Sequence, residues 1–137
     1  ALTLACLAEV TAGLKDTAWA ERLSALLRPY SGRLVVGRLS SVCTGAADRY
    51  LGQLATTLGD WDGADARYKA AAKLEERVSA PALVVVTRYW QASNLISRDG
   101  DGDHPKARGL LCSVLSTTGR LEMVALHRRA GSLLPSL

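Results

Sequence analysis

The sequence predicts an all-α fold, a right-handed array of three antiparallel helix pairs followed by one terminal helix. Ala and Leu are abundant in the 137 residues and Phe is absent, a composition that favours helices over a sheet. Three aspartates, 44 and 43 residues apart, are each followed four residues later by an Ala. Recurrence at this interval is typical of stacked helical pairs, with the Asp as helix N-cap and the Ala at a helix–helix contact. The three pairs of residues are Asp16 with Ala20, Asp60 with Ala64, and Asp103 with Ala107.

The composition predicts one folded domain spanning residues 1–137. Apolar residues make up 48% and charged residues 22% of the chain, so disorder is not expected. No apolar run approaches the roughly 20 residues that a membrane-spanning helix needs, and the apolar start has no basic leader. Cys6, Cys43 and Cys112 are odd in number and form no CxxC motif. This pattern predicts a cytoplasmic protein with buried or half-buried free thiols.

The first predicted pair covers residues 2–28. Its first helix, Leu2–Leu14, is apolar on more than one face, and such a helix requires cover on both sides. We therefore expect this segment to follow another repeat within a larger protein or to mediate self-association. The second helix is predicted from Thr17 to about Arg28, with Asp16 as its N-cap and Pro29 at its end.

The connection over residues 31–41 is the longest in the predicted array. Leu34, Val35 and Val36 have the residue types of a short strand, but an isolated strand has nothing to pair with. We therefore expect an extended, partly buried linker that leads directly into the next helix at about Val42.

The second predicted pair, residues 42–78, contains a short helical hairpin. Its first helix ends at Gly59, whose left-handed backbone stops a helix, and the next helix begins at once with Asp60 as its N-cap. A connection this short forces antiparallel contact, and small residues such as Gly52 let the two backbones approach closely. The facing apolar residues are Leu51, Leu54, Ala55 and Leu58 on the first helix and Ala64, Tyr68, Ala71 and Leu74 on the second.

The third predicted pair covers residues 81–116. Pro81 begins its first helix, and the apolar spacing downstream favours one helix although the valines at 84–86 also suit a strand. Arg98–Asp103 is predicted as a turn that ends in the N-cap Asp103, and the second helix runs over His104–Ser116. A final amphipathic helix is predicted over residues 120–134. Its inward residues are expected to be Leu121, Val124, Ala125 and Leu133.

The central hairpin resembles a tetratricopeptide repeat. The residues that occupy the small and large packing positions of that motif are Leu51-Gly52, Gly59-Asp60-Trp61, Ala64, Tyr68 and Ala71. Asp48 and Glu76 stand where the motif usually has Trp and Pro, and the interval of 43 to 44 residues exceeds the usual 34. The resemblance implies a tetratricopeptide-like α-solenoid in which the first helix of each pair lines a concave face.

Across most of its length, the chain is similar to the helical-repeat region of large bacterial regulators. The segments that carry this similarity are LLRPYSGRLVV, RYLGQLATTLGDWDGADARYKAA and TRYWQASNLI. In such proteins the repeats follow an ATPase module, and a LuxR-type DNA-binding domain or a nucleotide-cyclase domain accompanies them. The phosphate-binding motif GxxxxGK[ST] does not occur in this chain. The similarity implies a non-catalytic interaction, regulatory or sensor module of signal transduction or transcription, without a cofactor.

The tetratricopeptide resemblance also implies where a partner binds. Carrying the motif over by position places six residues on the concave face: Glu9, Arg49, Gln53, Thr56, Tyr89 and Ser93. Arg, Gln and Tyr side chains suit peptide capture through charge-assisted hydrogen bonds beside an aromatic wall. The expected partner is a protein, a peptide or another domain of the same protein. The alternative is that these residues form an ordinary polar surface.

Other motifs favour structural roles. Asp99–Asp103 alternates Asp and Gly like the start of an EF-hand, but His104 and Leu110 stand where that loop needs Gly and Glu. His104 and His127 have no ligand partner at helical spacing, and no base accompanies the cysteines, so neither a metal site nor an enzyme is predicted. The tryptophans are expected in or near the core: Trp19, Trp61 and Trp90. The alternative for Trp90 is that it lines a groove together with Tyr89.

The net charge of +4 supports an alternative function, a helical array that binds nucleic acid. The arginines are nevertheless spread along the chain, and only Arg128 and Arg129 are adjacent. Such a pattern is more typical of a solvated surface than of a nucleic-acid footprint, so nucleic acid is not the expected partner.

Overall fold

The structure, a computed structural model, describes residues 1–37 and 42–137 and is mostly helical. Its helices are α1 (Leu2–Leu14), α2 (Thr17–Leu27), α3 (Ala47–Thr57), α4 (Trp61–Arg77), α5 (Pro81–Arg98), α6 (Asp103–Arg120) and α7 (Val124–Leu133). Two strands, β1 (Leu34–Val36) and β2 (Cys43–Ala46), form a small antiparallel sheet. The predicted predominance of helix is therefore confirmed. Within the described ranges, no helix combines the length and apolar character that crossing a membrane requires.

The helices pack in two apolar clusters that share α4 as a neighbour. One cluster joins α1, α2 and α3, and its fully buried side chains include Leu23, Leu27 and Leu54. The other joins α5, α6 and α7 and includes Leu111 and Ala130. α4 contacts both α3 and α5, so it connects the two clusters.

The recurring Asp–Ala pattern marks the start of α2, α4 and α6. Ala20, Ala64 and Ala107 are each 0% exposed, which confirms that these positions carry close helix contacts. The side chains of Asp16 and Asp60 accept the backbone N–H three residues ahead, at 3.1 and 3.0 Å, so both are N-caps as predicted.

Asp103 departs from this pattern. It is the first residue of α6 rather than its N-cap, which is Gly102. Its carboxylate points back into the preceding turn, where it accepts the Gly100 N–H at 3.0 Å and two hydrogen bonds from Arg98, at 2.7 and 2.5 Å. The arginine competes successfully for the carboxylate because a bidentate charged pair is stronger than a capping hydrogen bond.

The central hairpin is packed as predicted. A Cβ atom built on Gly52 would lie 2.8 Å from the ring of Tyr68, so only glycine permits this approach of α3 to α4. Gly59 has φ 76°, the left-handed conformation expected at the end of the first helix. Leu58 is the last of the apolar residues predicted to face the second helix. It is 37% exposed because α3 ends one residue before it.

The prediction of an unpaired linker followed by a helix from about Val42 is wrong. Leu34–Val36 pairs antiparallel with Cys43–Ala46, and α3 begins only at Ala47. The sequence Cys-Thr-Gly-Ala has weak strand propensity, so the partner strand has no clear local signal. A distant contact helps to hold it, since the Ala46 N–H donates to the buried Glu75 carboxylate at 3.0 Å. The remainder of the predicted linker, residues 38–41, lies outside the described residues.

The prediction for the last helix is wrong in its boundaries and its face. α6 continues to Arg120, a left-handed turn at Glu122 (φ 55°) follows, and α7 starts at Val124. The later start changes which side of the helix meets the core. Leu121, Val124 and Ala125 are exposed, and the inward residues are Leu126, Ala130 and Leu133.

Two predictions about buried side chains are also wrong. Cys6 and Cys112 are exposed, and only Cys43 is half-buried. On α1 the buried positions are taken by small residues such as Ala5, so Cys6 lies outside them. Trp19 is 53% exposed at the first turn of α2, where its ring lies 5.7 Å from the Arg22 guanidinium.

Candidate binding site

A cavity of about 350 Å³ opens between α1, α3, α4 and α5. This volume is near the lower end of the range for pockets that hold small ligands or single side chains. We call it the Gln53 cleft, and its walls are mostly hydroxyl, carboxamide and aromatic side chains. The lining residues are Ala12, Lys15, Gln53, Thr56, Thr57, Trp61, Tyr68, Trp90, Ser93, Asn94 and Ser97.

One side of the Gln53 cleft is fixed by a hydrogen-bonded network around Asn94, which is 0% exposed. Its Oδ1 lies 2.9 Å from the Thr56 hydroxyl, and its Nδ2 donates to the Trp61 carbonyl at 3.1 Å. The Thr56 hydroxyl lies 3.4 Å from the phenol oxygen of Tyr68. Burial raises the pKa of Tyr68, so the phenol stays neutral. Because Asn94 uses both ends of its carboxamide, this network forms a rigid wall.

Gln53 is the exception among these polar groups. Its side chain is 2% exposed, yet neither Nε2 nor Oε1 has a hydrogen-bond partner among the described residues. Leaving a buried polar group unpaired costs about 1–3 kcal/mol of stability. Native structures contain few such groups, and one that lines a cavity is a candidate for binding a ligand.

Two tryptophans border the Gln53 cleft, and both are half-buried. The ring of Trp90 meets that of Tyr89 edge to face, with centroids 5.4 Å apart. The Arg129 guanidinium of α7 lies 5.2 Å from the Tyr89 ring and 5.7 Å from the Trp90 ring. These contacts restrict Trp90, so the aromatic border is already in place before anything binds.

Few charged side chains line the Gln53 cleft. Among its described lining residues, only Lys15 carries a charged side chain, and Lys15 is exposed. It is the C-cap residue of α1, with a left-handed φ of 54°. The more deeply buried lining is neutral, so the cleft suits a polar but uncharged group.

Three of the six predicted site residues meet in this cleft: Gln53, Thr56 and Ser93. The other three lie elsewhere. Glu9 is exposed on α1, whereas Tyr89 is 7% exposed and packs beside Trp90. Arg49 is 3% exposed, so it is not available on the surface to bind a peptide.

Arg49 is buried because the sheet supplies partners that the sequence does not reveal. Its guanidinium bonds the Thr44 carbonyl of β2, and its Nη1 forms an ion pair with Glu75 at 3.6 Å. Glu75 is 0% exposed and accepts hydrogen bonds from the Ala46 N–H at 3.0 Å and the Thr87 hydroxyl at 2.7 Å. Arg49 therefore stabilises the junction of β2, α3, α4 and α5.

Several cleft residues are missed by the sequence reasoning. The tetratricopeptide motif places Trp61 at a packing position and assigns Asn94 no role. A usable signal is the cluster of short polar side chains on one part of α5, where Ser93, Asn94 and Ser97 fall within five residues of a helix that begins apolar. A buried Asn needs hydrogen-bond partners, so such a cluster indicates a hydrogen-bonded network at this part of α5.

The histidines have neighbours of their own. His104 Nε2 lies 2.9 Å from Asp99 Oδ1, and His127 Nδ1 lies 2.9 Å from the Thr118 hydroxyl. Within residues 1–37 and 42–137, no group of three or more His, Cys, Asp or Glu side chains could hold a metal ion.

Comparison of the chain with family models, with curated proteins and with solved structures finds no match. The functional interpretation therefore depends on the geometry of the Gln53 cleft. It also depends on the sequence resemblance carried by the central hairpin.

Proposed function

We propose that this domain is a non-catalytic interaction module, a tetratricopeptide-like α-solenoid segment of a bacterial signalling or transcriptional regulator. Its partner is a peptide segment or a neighbouring domain that inserts a group into the Gln53 cleft. The observation that carries the proposal is the convergence of Gln53 and Thr56 from α3 with Ser93 from α5 in one cavity bordered by tryptophans.

The helix contacts support the solenoid arrangement. α1 contacts α3, and α3 contacts α5, so the first helices of the three pairs are neighbours. α2 packs on α1 and α3, α4 packs on α3 and α5, and α6 packs on α5. Neighbouring first helices backed by second helices are the arrangement that a helical-repeat array uses to build a binding face.

The charge distribution favours a protein partner over nucleic acid. Arg67, Arg88 and Arg98 each form an ion pair with a carboxylate, at 2.7, 2.7 and 2.6 Å. Pairing neutralises part of the positive charge that phosphate binding would need. The cleft itself offers hydrogen-bonding groups and aromatic rings, which suit a side chain better than a phosphate backbone.

Site-specific crosslinking tests this function. Benzoylphenylalanine at Ser97, an exposed residue at the edge of the cleft, should capture a partner from cells, while the same amino acid at the exposed Lys73 of α4 serves as the matched control. The captured protein is then purified and its affinity for the chain measured by calorimetry. Ser93→Trp fills the cleft and should weaken binding by about tenfold or more, whereas Lys73→Trp should not.

Three results would count against the proposal. Equal capture from both positions would indicate non-specific contact. An affinity unchanged by Ser93→Trp would place the interaction outside the cleft. Turnover of a substrate by the purified chain would contradict the non-catalytic assignment.

A further inference from the structure

We propose that the Gln53 cleft binds a neutral carboxamide group through paired hydrogen bonds to the side chain of Gln53. This inference rests on the proposed function, because it names the chemical group that the partner places in the cleft. The group comes either from an Asn or Gln side chain of a protein segment or from a small free carboxamide.

The unpartnered atoms of Gln53 define what fits. Its Nε2 is a donor and its Oε1 an acceptor, and both lack partners among the described residues. Both atoms are closed to solvent in this structure, so a ligand reaches them when the Gln53 side chain rotates toward the cleft that it lines. A carboxamide offers the complementary acceptor and donor in one plane. A carboxylate would satisfy Nε2 but bring a second acceptor against Oε1. An amidinium would satisfy Oε1 but bring a second donor against Nε2.

The surroundings of Gln53 select against charge as well. Asn94 is already fully hydrogen-bonded, and Lys15, the charged residue at the cleft, is exposed to solvent. A cation inside would therefore lose water without gaining an opposite charge from the described lining residues, and an anion would gain only the solvent-exposed Lys15 among them, so a neutral group is favoured. The rings of Trp61 and Trp90 offer flat surfaces against which a planar amide can pack.

Three probes of the same shape test the chemistry: acetamide, acetate and acetamidinium. Each is titrated into the uniformly ¹⁵N-labelled full chain at constant ionic strength, and the side-chain amide signal of Gln53 and the indole N–H signals of Trp61 and Trp90 are followed. We expect saturable shifts of these signals with acetamide and no saturable shifts with either ion.

Two variants test the role of Gln53. Gln53→Leu removes the donor–acceptor pair and should weaken acetamide binding by about tenfold or more. The matched control, Gln91→Leu, makes the same change on α5 outside the cleft, at a carboxamide that donates to Asp65 at 2.9 Å, and should leave acetamide binding unchanged. If the variants prove unstable, the comparison of the three probes on the natural chain still decides the question.

The source of the carboxamide is tested with N-acetylglutamine methylamide and nicotinamide. Tighter binding of the first than of acetamide supports a protein segment, and tighter binding of the second supports a free molecule.

Acetate binding as tightly as acetamide, equal affinity of Gln53→Leu, or no saturable shift with any probe would overturn the inference. The last result would mean that the cleft holds water only. Failure of the inference is distinct from failure of the proposed function. A partner that is captured from Ser97, and whose affinity is unchanged by Gln53→Leu, contradicts the carboxamide assignment alone.

Discussion

Three buried carboxamide side chains on α3 and α5 differ in their hydrogen bonds. The two that have partners are structural residues, and the one that has none is a candidate for binding a ligand. Asn94 bonds the Thr56 hydroxyl and the Trp61 carbonyl, and Gln91 donates to Asp65. Gln53, which is equally well buried, has no partner among the described residues. Proteins retain such unsatisfied groups at binding sites at a cost in stability, so replacement by an apolar residue should stabilise the fold.

We therefore expect Gln53→Leu to raise the free energy of unfolding by about 1–2 kcal/mol, because the variant no longer buries an unpaired amide. Gln91→Leu should lower it by a similar amount, because it removes a satisfied hydrogen bond and leaves Asp65 with one partner fewer. Urea denaturation followed by circular dichroism measures both. A loss of stability in Gln53→Leu equal to that in Gln91→Leu would indicate that Gln53 is an ordinary structural residue.

Asp103 illustrates the opposite case, a polar residue whose partners are complete. The hydrogen bonds from Arg98 lower the pKa of Asp103 to about 2, against the raising effect of burial, and the Gly100 N–H adds to the lowering. An unfolded Asp has a pKa of about 3.9. Because the folded pKa is the lower one, the stabilisation is fully present above about pH 4 and is lost as the pH falls toward about 2.

We predict that Asp103→Asn lowers the melting temperature at pH 7 and that the difference from the natural chain shrinks as the pH falls from about 4 to about 2. Asp62, the other carboxylate that pairs with Arg98, provides the control because it is 94% exposed. Asp62→Asn should change the melting temperature little at any pH. Thermal unfolding across this pH range checks the prediction. A difference between Asp103→Asn and the natural chain that is constant from pH 7 to 2 would contradict it.

At the scale of secondary-structure elements, the small sheet depends on α4 and α5 for its position. Glu75 of α4 accepts the Ala46 N–H of β2 and the hydroxyl of Thr87 on α5, and it faces Arg49 of α3. The Arg49 Nε and Nη1 atoms form no hydrogen bond with the described residues, so the ion pair at 3.6 Å is their main compensation. Removing the carboxylate would therefore leave a buried guanidinium with little opposite charge.

We expect Glu75→Leu to cost about 3–5 kcal/mol of unfolding free energy. The double variant Arg49→Leu with Glu75→Leu should cost less than the sum of the two single variants, because it leaves neither charge alone. Glu76→Leu, which breaks the partly exposed ion pair of Glu76 with Arg88, should cost under about 1 kcal/mol and serves as the control. Urea denaturation of the four variants gives the coupling energy. Strict additivity would show that Arg49 and Glu75 do not form an energetic unit.

The same junction explains which elements could be predicted from the sequence. The bounds of α1 and the starts of α2, α4 and α5 follow local signals, namely apolar periodicity, the caps Asp16 and Asp60, and Pro81. β2 was not predictable because it is held partly by Glu75, which lies 29 residues away from Ala46. The residue types within and beside β2 do not indicate a contact with a residue so distant in the sequence.

Some residues of the Gln53 cleft could be placed from the sequence and others could not. Gln53, Thr56 and Ser93 were placed on one face from the resemblance to the tetratricopeptide repeat, and all three line the cleft. The sequence does not reveal which side chains fill the space between helices, so Arg49 was placed on the surface, and a groove position for Trp90 was only the alternative to a core position. The unpaired state of Gln53 can be recognised only once its neighbours are known.

At the scale of the whole molecule, one helix face has no cover within the described chain. α1 packs on α2 and α3 through Ala5 and Ala8, while Leu7, Val10 and Leu14 are 45%, 58% and 74% exposed. These three leucine and valine positions are spaced three and four residues apart, so they lie along one stripe of the helix. A continuous apolar stripe of this kind favours burial against a second surface.

We predict that the chain self-associates reversibly through this stripe. Sedimentation velocity at increasing concentration should show a rising average mass for the natural chain. Val10→Lys should weaken association by about tenfold or more, because it places a charge that must be desolvated at the centre of the stripe. Leu26→Lys, at a residue of α2 that is 56% exposed, introduces the same charge outside the stripe and should have little effect. A natural chain that stays monomeric at the highest concentration, or equal effects of the two lysines, would show that α1 does not bind a second copy.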